Sequence, residues 1–223
     1  PYLKNFIQKI NYYFINKFKM CWVMDDEKQN LAGELSKPDR LPNNYKYIGL
    51  HSRLELTKKD KKYKLCFILS GPEPQRTSFE KIVMNSVKGI NEEIVIILGK
   101  TEDKKRVIAQ NNLTIISSSN SEEINKYIVE SELIISRSGY STIIDLQKMQ
   151  SNAIFVPTPG QTEQEYLAKY LEKKKIADYQ IQNKFDLNKG IDNCKNYSGF
   201  ISANNHDVNW KKLFNLFKNK GKS

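Results

Sequence analysis

Arginine is scarce in this chain: of 36 basic residues only five are arginine, at positions 40, 53, 76, 106 and 137. Two of the five stand in short polar turns directly after apolar runs. Arg76 lies in "SGPEPQRTSFE" (70–80), after "KLCFIL", and Arg137 lies in "SRSGYSTIIDL" (136–146), after "ELIIS". A guanidinium forks carboxylate or phosphate oxygens with a planar set of N–H donors, which an ammonium cannot do. Each turn also runs into a helical pattern, so free backbone N–H groups and the positive end of a helix dipole would meet the same ligand. Binding of an anion is the chemistry these pieces suit.

In the first turn Gly71 and two prolines shape the chain, Gln75 and Arg76 are polar, and a helix is expected from about Thr77. An ordinary strand–helix turn capped by Thr77 or Ser78 is the structural alternative. In the second, Ser138, Gly139, Tyr140, Ser141 and Thr142 surround a helix start. Gly139 would let a diphosphate approach the backbone while Arg137 forks it, and Asp145, one turn inside the helix, could accept both hydroxyls of a ribose. Alternatively the helix is simply capped, Arg137 is paired to a carboxylate and Asp145 is solvated. A third loop, "TPGQTEQEY" (158–166), crowds Gln161, Glu163, Gln164 and Glu165, whose amides and carboxylates suit vicinal sugar hydroxyls. A capping box from Thr162 to Glu165 accounts for those two residues and leaves Gln161 and Gln164 free to bind.

The elements that must position these loops are legible as alternating apolar runs and helical patterns. Strands are expected at 21–24, 47–50, 64–71, 93–99, 113–117, 132–136 and 152–160. Helices are expected over 79–87, over 121–131 with Ser121 as N-cap, from Ser141, and over 163–175. The strands are continuous apolar runs, as in a sheet covered on both faces by helices. The fold class is therefore α/β, a Rossmann-like parallel sheet flanked by helices. In such sheets ligands bind at the carboxyl ends of the strands, where all three loops fall. Ahead of this lies an amphipathic helical pattern, "YLKNFIQKINYYFINKF", and a turn-rich connector reaching to about residue 57. Near the end, Trp210, Leu213, Phe214 and Phe217 recur at helical spacing, a face that could dock on the sheet, on another domain or on a membrane.

Composition narrows the classes. The 223 residues are 39% hydrophobic, enough for a core, while a mean hydropathy of −0.61 and the lack of a run of roughly 20 apolar residues argue against an integral membrane protein. The chain begins at Pro1 and reads as an excised fragment or processed product. The net charge of +11 fits a general lysine bias or an anionic membrane surface, and no nucleic-acid motif accompanies it. Three widely spaced cysteines without a CxxC read as reduced and intracellular, with Cys66 in the core. Two histidines, His51 and His206, both read as surface residues, and no carboxylate cluster has ligand spacing, so neither a metal site nor a cofactor is expected.

Together, "SRSGYSTIIDL" and "FVPTPGQTEQEYLAKYL" resemble the C-terminal, donor-binding domain of glycosyltransferase family 28, the family of the peptidoglycan N-acetylglucosaminyltransferases, over roughly residues 64–180. The resemblance implies the second half of a GT-B enzyme, with residues 1–57 as remnant and connector of an N-terminal domain and 58–223 as the nucleotide-sugar domain. Ser138 and Gly139 would lie at the diphosphate, Asp145 matches a ribose-binding glutamate, Gln164 matches a sugar-binding glutamine, and Gly71 stands where the family has a glycine- and serine-rich phosphate loop. The sequence departs from the family in "SGPEPQR", which is not glycine-rich, in the shorter Asp145, and in Glu165, which replaces a second glutamine. The implied partners are a nucleotide-sugar donor, UDP-linked by the same resemblance, and a lipid-linked or glycan acceptor, but not nucleic acid. The implied place is cytoplasmic, with peripheral contact at the inner face of the plasma membrane. The catalytic base would lie on the acceptor-binding domain. The competing readings are a sugar-nucleotide epimerase of the same architecture, and a nucleotide-sugar-binding subunit working with a separate membrane partner.

Overall fold

The computed structural model describes residues 2–38, 40–100, 104–201, 208, 210, 211, 213 and 214. The chain divides into two compact units, Ser52–Ser202 and a smaller one made of Pro1–His51 with Ala203–Ser223. The C-terminal segment is thus grouped with the first residues.

In the smaller unit, α1 (Tyr2–Ile15) precedes a two-stranded parallel sheet of β1 (Cys21–Val23) and β2 (Tyr45–Tyr47). The second strand lies two residues earlier than the apolar run "YIGL" suggests. The acidic turn after β1 is structural. Buried Asp25 accepts from the backbone N–H groups of Asp26, Leu31 and Ala32 and from the Ser36 hydroxyl, so its charge is met by four donors. Trp210 and Phe214 stack on one another and meet Trp22 of β1, and the His51 ring stands edge-on to Trp210 at 5.2 Å. The apolar face read at the C-terminus therefore has partners within this unit. His206 and Phe217 lie outside the described residues.

The larger unit holds a seven-stranded sheet in the order β5-β6-β4-β3-β7-β8-β9. Its strands are β3 (Tyr63–Ile68), β4 (Ile94–Ile97), β5 (Val107–Gln110), β6 (Leu113–Ile116), β7 (Ser131–Ser136), β8 (Asn152–Phe155) and β9 (Asp178–Tyr179). All pairs are parallel except the hairpin β5–β6. The helices are α2 (Gln75–Ser86), α3 (Ser121–Val129), α4 (Tyr140–Met149), α5 (Thr162–Lys173) and α6 (Leu187–Cys194). This is the expected Rossmann-like class.

Continuous apolar runs follow from burial on both faces. Leu65, Phe67, Ile94, Ile96, Leu133, Ile135 and Ile154 pack with Phe79 and Val83 of α2 in one core. The alternate residues Cys66, Val95, Ile134, Ala153 and Phe155 are equally buried on the opposite face, where the Phe155 ring meets Phe200 edge-on. Burial pushes the Cys66 thiol up to about 12, so it packs as an inert apolar group.

Strand order places the site. From β3 the chain passes through α2 to β4 and works outward to β6 and β5, then returns through α3 to β7 on the other side of β3. That reversal makes the carboxyl ends of β3 and β7 the topological switch point of the sheet, where ligands of such folds bind. Ile68 pairs with Ser136, and Ser136 with Phe155, so the turns after β3, β7 and β8 leave the sheet at one level.

Candidate functional site

Helix starts carry unpaired N–H groups that something must satisfy. In the larger unit they are satisfied in different ways. Helix α3 has a full capping box: Asn120 Oδ1 accepts the Glu123 N–H at 2.9 Å, and Glu123 Oε2 accepts the Asn120 N–H at 3.1 Å. The cap is therefore Asn120 and not the expected Ser121, because only Asn120 has a glutamate three residues on. Helix α6 is capped by Asp186. Helix α2 begins at Gln75, two residues before the expected Thr77, and the Glu73 carboxylate from outside accepts the Thr77 N–H and hydroxyl. Helix α5 starts after Gln161 and carries Glu163 and Glu165 in its first turn. Thr162 is the first helical residue and not a cap. Glu165 instead accepts the Gly160 N–H.

Helix α4 is finished by none of these devices. Its N-cap is Gly139, no side chain caps it, and its first turn has no acidic residue. Gly139 has φ −66° and ψ 143°, which any residue adopts, and a Cβ built there meets nothing within 4 Å. The fold does not need a glycine at this position, and the space above it is open. Tyr140 and Thr142 are half-buried and Ser141 is exposed on the same turn.

Around this start the three loops converge. The Ser138 hydroxyl donates to the Gln164 carbonyl at 2.7 Å, and Gln164 Oε1 accepts the Thr158 N–H at 2.9 Å. Gly71, at φ +104°, lies against Thr158: a Cβ on Gly71 would come within 3.1 Å of Thr158 Oγ1. Thr158 is buried and its hydroxyl has no hydrogen-bond partner among the described residues, an arrangement that costs energy. Gly71 is thus required both by its backbone angle and by space, whereas Gly139 is required by neither.

Several expected binding groups are turned inward. Arg137 is 2% exposed, and its five N–H donors meet five oxygens: Ser70 O, Val156 O, Pro157 O, Gln75 O and Gln182 Oε1. Its donors are thus taken up by the protein, and among the described residues no carboxylate pairs with it. The Phe79 ring lies 4.5 Å from the guanidinium carbon, and burial pulls the guanidinium down to about 10, which leaves it charged at neutral pH. Arg76 is 8% exposed and pairs with Glu73 and, at 3.7 Å, with Glu80; its role is also internal. Gln75 accepts from Gln182 at 3.1 Å. The Gln164 amide bonds Thr158 and Gln161, so it holds the third loop instead of standing free. Asp145 accepts the Ser52 hydroxyl at 2.6 Å and faces Arg53 at 3.8 Å, tying α4 to the connector. Glu163 is exposed at the start of α5.

Sequence reasoning missed Thr158 and Gln182. Gln182 follows β9, a strand of two residues too short to read. Had it been recognised, its carboxyl-end loop would have joined the other three.

The family described as the glycosyltransferase family 28 C-terminal domain matches residues 66–215. Among solved structures the chain is similar to MurG of Acinetobacter baumannii, with 20% identity and a TM-score of 0.51 over 72% of this chain and 51% of that one. It is also similar to the glycotransferase of kitacinnamycin, at 12% identity and TM-score 0.54 over 81% and 46%. The glycosyltransferase SnogD from Streptomyces nogalater matches at 11% identity and TM-score 0.54 over 84% and 54%. The chain therefore spans about half the length of these structures, and at such identities the likeness is one of fold. A search of curated proteins by sequence found no match.

Proposed function

The chain belongs to the glycosyltransferase family 28 C-terminal domain family, and on that premise we propose that it is the donor-binding portion of an inverting, metal-independent glycosyltransferase. The donor is a nucleotide sugar, UDP-linked, with UDP-N-acetylglucosamine the first to test, and the pathway is synthesis of a cell-envelope glycan or glycolipid. One observation carries this reading: α4 begins at the switch point of the sheet with no cap, no acidic residue and an open space over a glycine the fold does not require. Uncapped N–H groups and the positive helix end suit a diphosphate there.

In transfer, an acceptor hydroxyl attacks the anomeric carbon as the bond to the diphosphate oxygen breaks, and the nucleoside diphosphate leaves with the bonding pair. The start of α4 would stabilise that growing charge. The hydroxyl's proton must pass to a base close to the acceptor. Ser138, Gly139, Ser141 and Thr142 would line the diphosphate, Asp145 the ribose, and Gln161 and Glu163 the sugar. Asp145 would keep lone pairs for this purpose beside its bond from Ser52.

The acceptor is a lipid-linked or glycan molecule. A site of action at the inner face of the plasma membrane fits the lysine excess and the exposed Phe6, Tyr13, Phe14 and Phe18 of α1 and the turn after it. No helix among the described residues is long and apolar enough to cross a membrane.

Calorimetric titration with UDP, UDP-N-acetylglucosamine and ADP tests the reading. Uridine diphosphates are expected to bind and ADP to bind much more weakly. Equal affinities sink the base assignment, and no binding of any sinks the donor site. With a polyprenyl-linked acceptor in detergent, this chain alone is expected to transfer sugar well below the ~1 s⁻¹ of ordinary enzymes.

A further inference from the structure

The two buried arginines of the carboxyl edge are neutralised differently. Arg76 has Glu73 and Glu80 within ion-pair reach. Arg137 is more deeply buried, yet its partners are four backbone carbonyls and one amide oxygen. Carbonyl dipoles orient a guanidinium and satisfy its donors, but they do not cancel its charge. Removing an unneutralised cation from water is costly. A carboxylate partner was within reach of the sequence: Gln182 Oε1 sits 2.7 Å from Arg137 Nη2, and a glutamate there would have the same shape and a negative charge. That glutamate would cancel the guanidinium charge and give up the bond that Gln182 Nε2 donates to Gln75 Oε1. The chain keeps glutamine, and the buried charge stays open two residues before Gly139 and the uncapped start of α4.

We infer that Arg137 is a positioning residue for an anionic ligand: it locks the turns after β3, β8 and β9 to the turn after β7, and its uncancelled charge is completed by phosphate bound at Gly139. The inference rests on the nucleotide-sugar reading above and goes beyond it, since it assigns the electrostatic complement to a side chain that never touches the ligand and gives Gln182 the task of leaving that charge exposed. Arg137 thus acts through the loops and through its field, and binding strength grows with the number of phosphate charges.

The test uses the full 223-residue chain, titrated with uridine, uridine monophosphate and uridine diphosphate. For the natural chain, affinity is expected to climb with each phosphate. Gln182→Glu keeps the bond to Arg137 and neutralises the guanidinium, at the loss of the Gln182–Gln75 bond, which Gln182→Leu loses as well without adding a charge, so that variant serves as the control. Relative to that control, Gln182→Glu is expected to weaken the diphosphate about tenfold and the monophosphate by a smaller factor, to leave uridine unchanged, and not to lower Tm. Arg137→Lys keeps the charge with fewer donors, so all three affinities are expected to fall while their dependence on phosphate number persists. If Gln182→Glu binds all three ligands as the natural chain does, or loses all three in parallel, the inference is overturned and Arg137 is only a loop tether. If Gln182→Glu does not fold, Arg137→Lys decides: a retained climb supports the inference and a flattened one overturns it. A natural chain that binds none of the three overturns the nucleotide reading itself and this inference with it. A natural chain with the climb and variants without the expected change overturns the inference alone.

Discussion

Helices α3 and α4 both start where a strand of the parallel sheet ends, and the chain completes them in opposite ways. At α3, Asn120 and Glu123 exchange hydrogen bonds and Glu122 and Glu123 add negative charge to the first turn. At α4, Gly139 brings no side chain and no acid follows. The two starts have the same electrostatic need, and only α3 meets it internally. The α4 start is therefore the open one of the pair, whereas both nearby arginines are engaged by the protein.

The comparison can be broken most severely from the residue that sets the α4 turn. Arg137→Ala leaves five oxygens without their donor and opens a void beside Phe79, and is expected to cost about 3 kcal/mol or more in denaturant unfolding. A stability loss under 1 kcal/mol would show that the four turns hold together without it. A second variant makes α4 resemble α3. Gly139→Asp fits the open space and supplies the missing cap, so it should raise stability by a few tenths of a kcal/mol while weakening UDP at least about tenfold, ~1.4 kcal/mol. Unchanged UDP affinity would remove the ligand from this helix. The reverse variant strips α3: Asn120→Ala is expected to cost about 1 kcal/mol in stability and to leave nucleotide affinity untouched, and a loss of binding there would mean the two starts are not separate.

The smallest effect is one of pH. Lys105 beside Glu123, together with the Asn120 N–H, holds the Glu123 carboxyl below the ordinary glutamate range. A carboxyl depressed on folding stabilises fully above its unfolded value and loses that contribution as pH falls through its folded value. The Tm difference between the natural chain and Glu123→Gln should therefore be constant near neutrality and shrink in acid. A difference that grows on acidification would assign the wrong sign to this charge.

The central sheet was legible because β3, β4, β7 and β8 are buried on both faces and leave uninterrupted apolar runs. Strand β5 was not, since Val107 and Ile108 are exposed on an edge hairpin and have no core to impose a pattern. Strand β9 and helix α6 are too short for periodicity to declare them. The sequence placed the three loops at the carboxyl edge of the sheet, where the structure has them, because strand ends and glycines are local features. The internal partners of Arg76, Arg137 and Gln164 were not legible, because the direction of a long polar side chain depends on groups far away in sequence, such as the carbonyls of Val156 and Pro157 for Arg137. Gly139 shows the same limit from the other side: only a structure reveals that nothing in the fold asks for it.

The position of β3 also bears on the order in which the molecule assembles. One edge of β3 takes β4, its near neighbour in sequence, but the other waits for β7, whose side chains lie 68 positions further on, as in the Lys64–Glu132 pair. Contacts this distant close slowly. On the ribosome, the switch point between β3 and β7 cannot form until residue 136 has emerged, and until then the central strand β3 has one unpaired, aggregation-exposed edge. The topology that creates the switch point therefore makes its closure wait on β7, and makes the nascent chain most dependent on chaperones before β7 arrives.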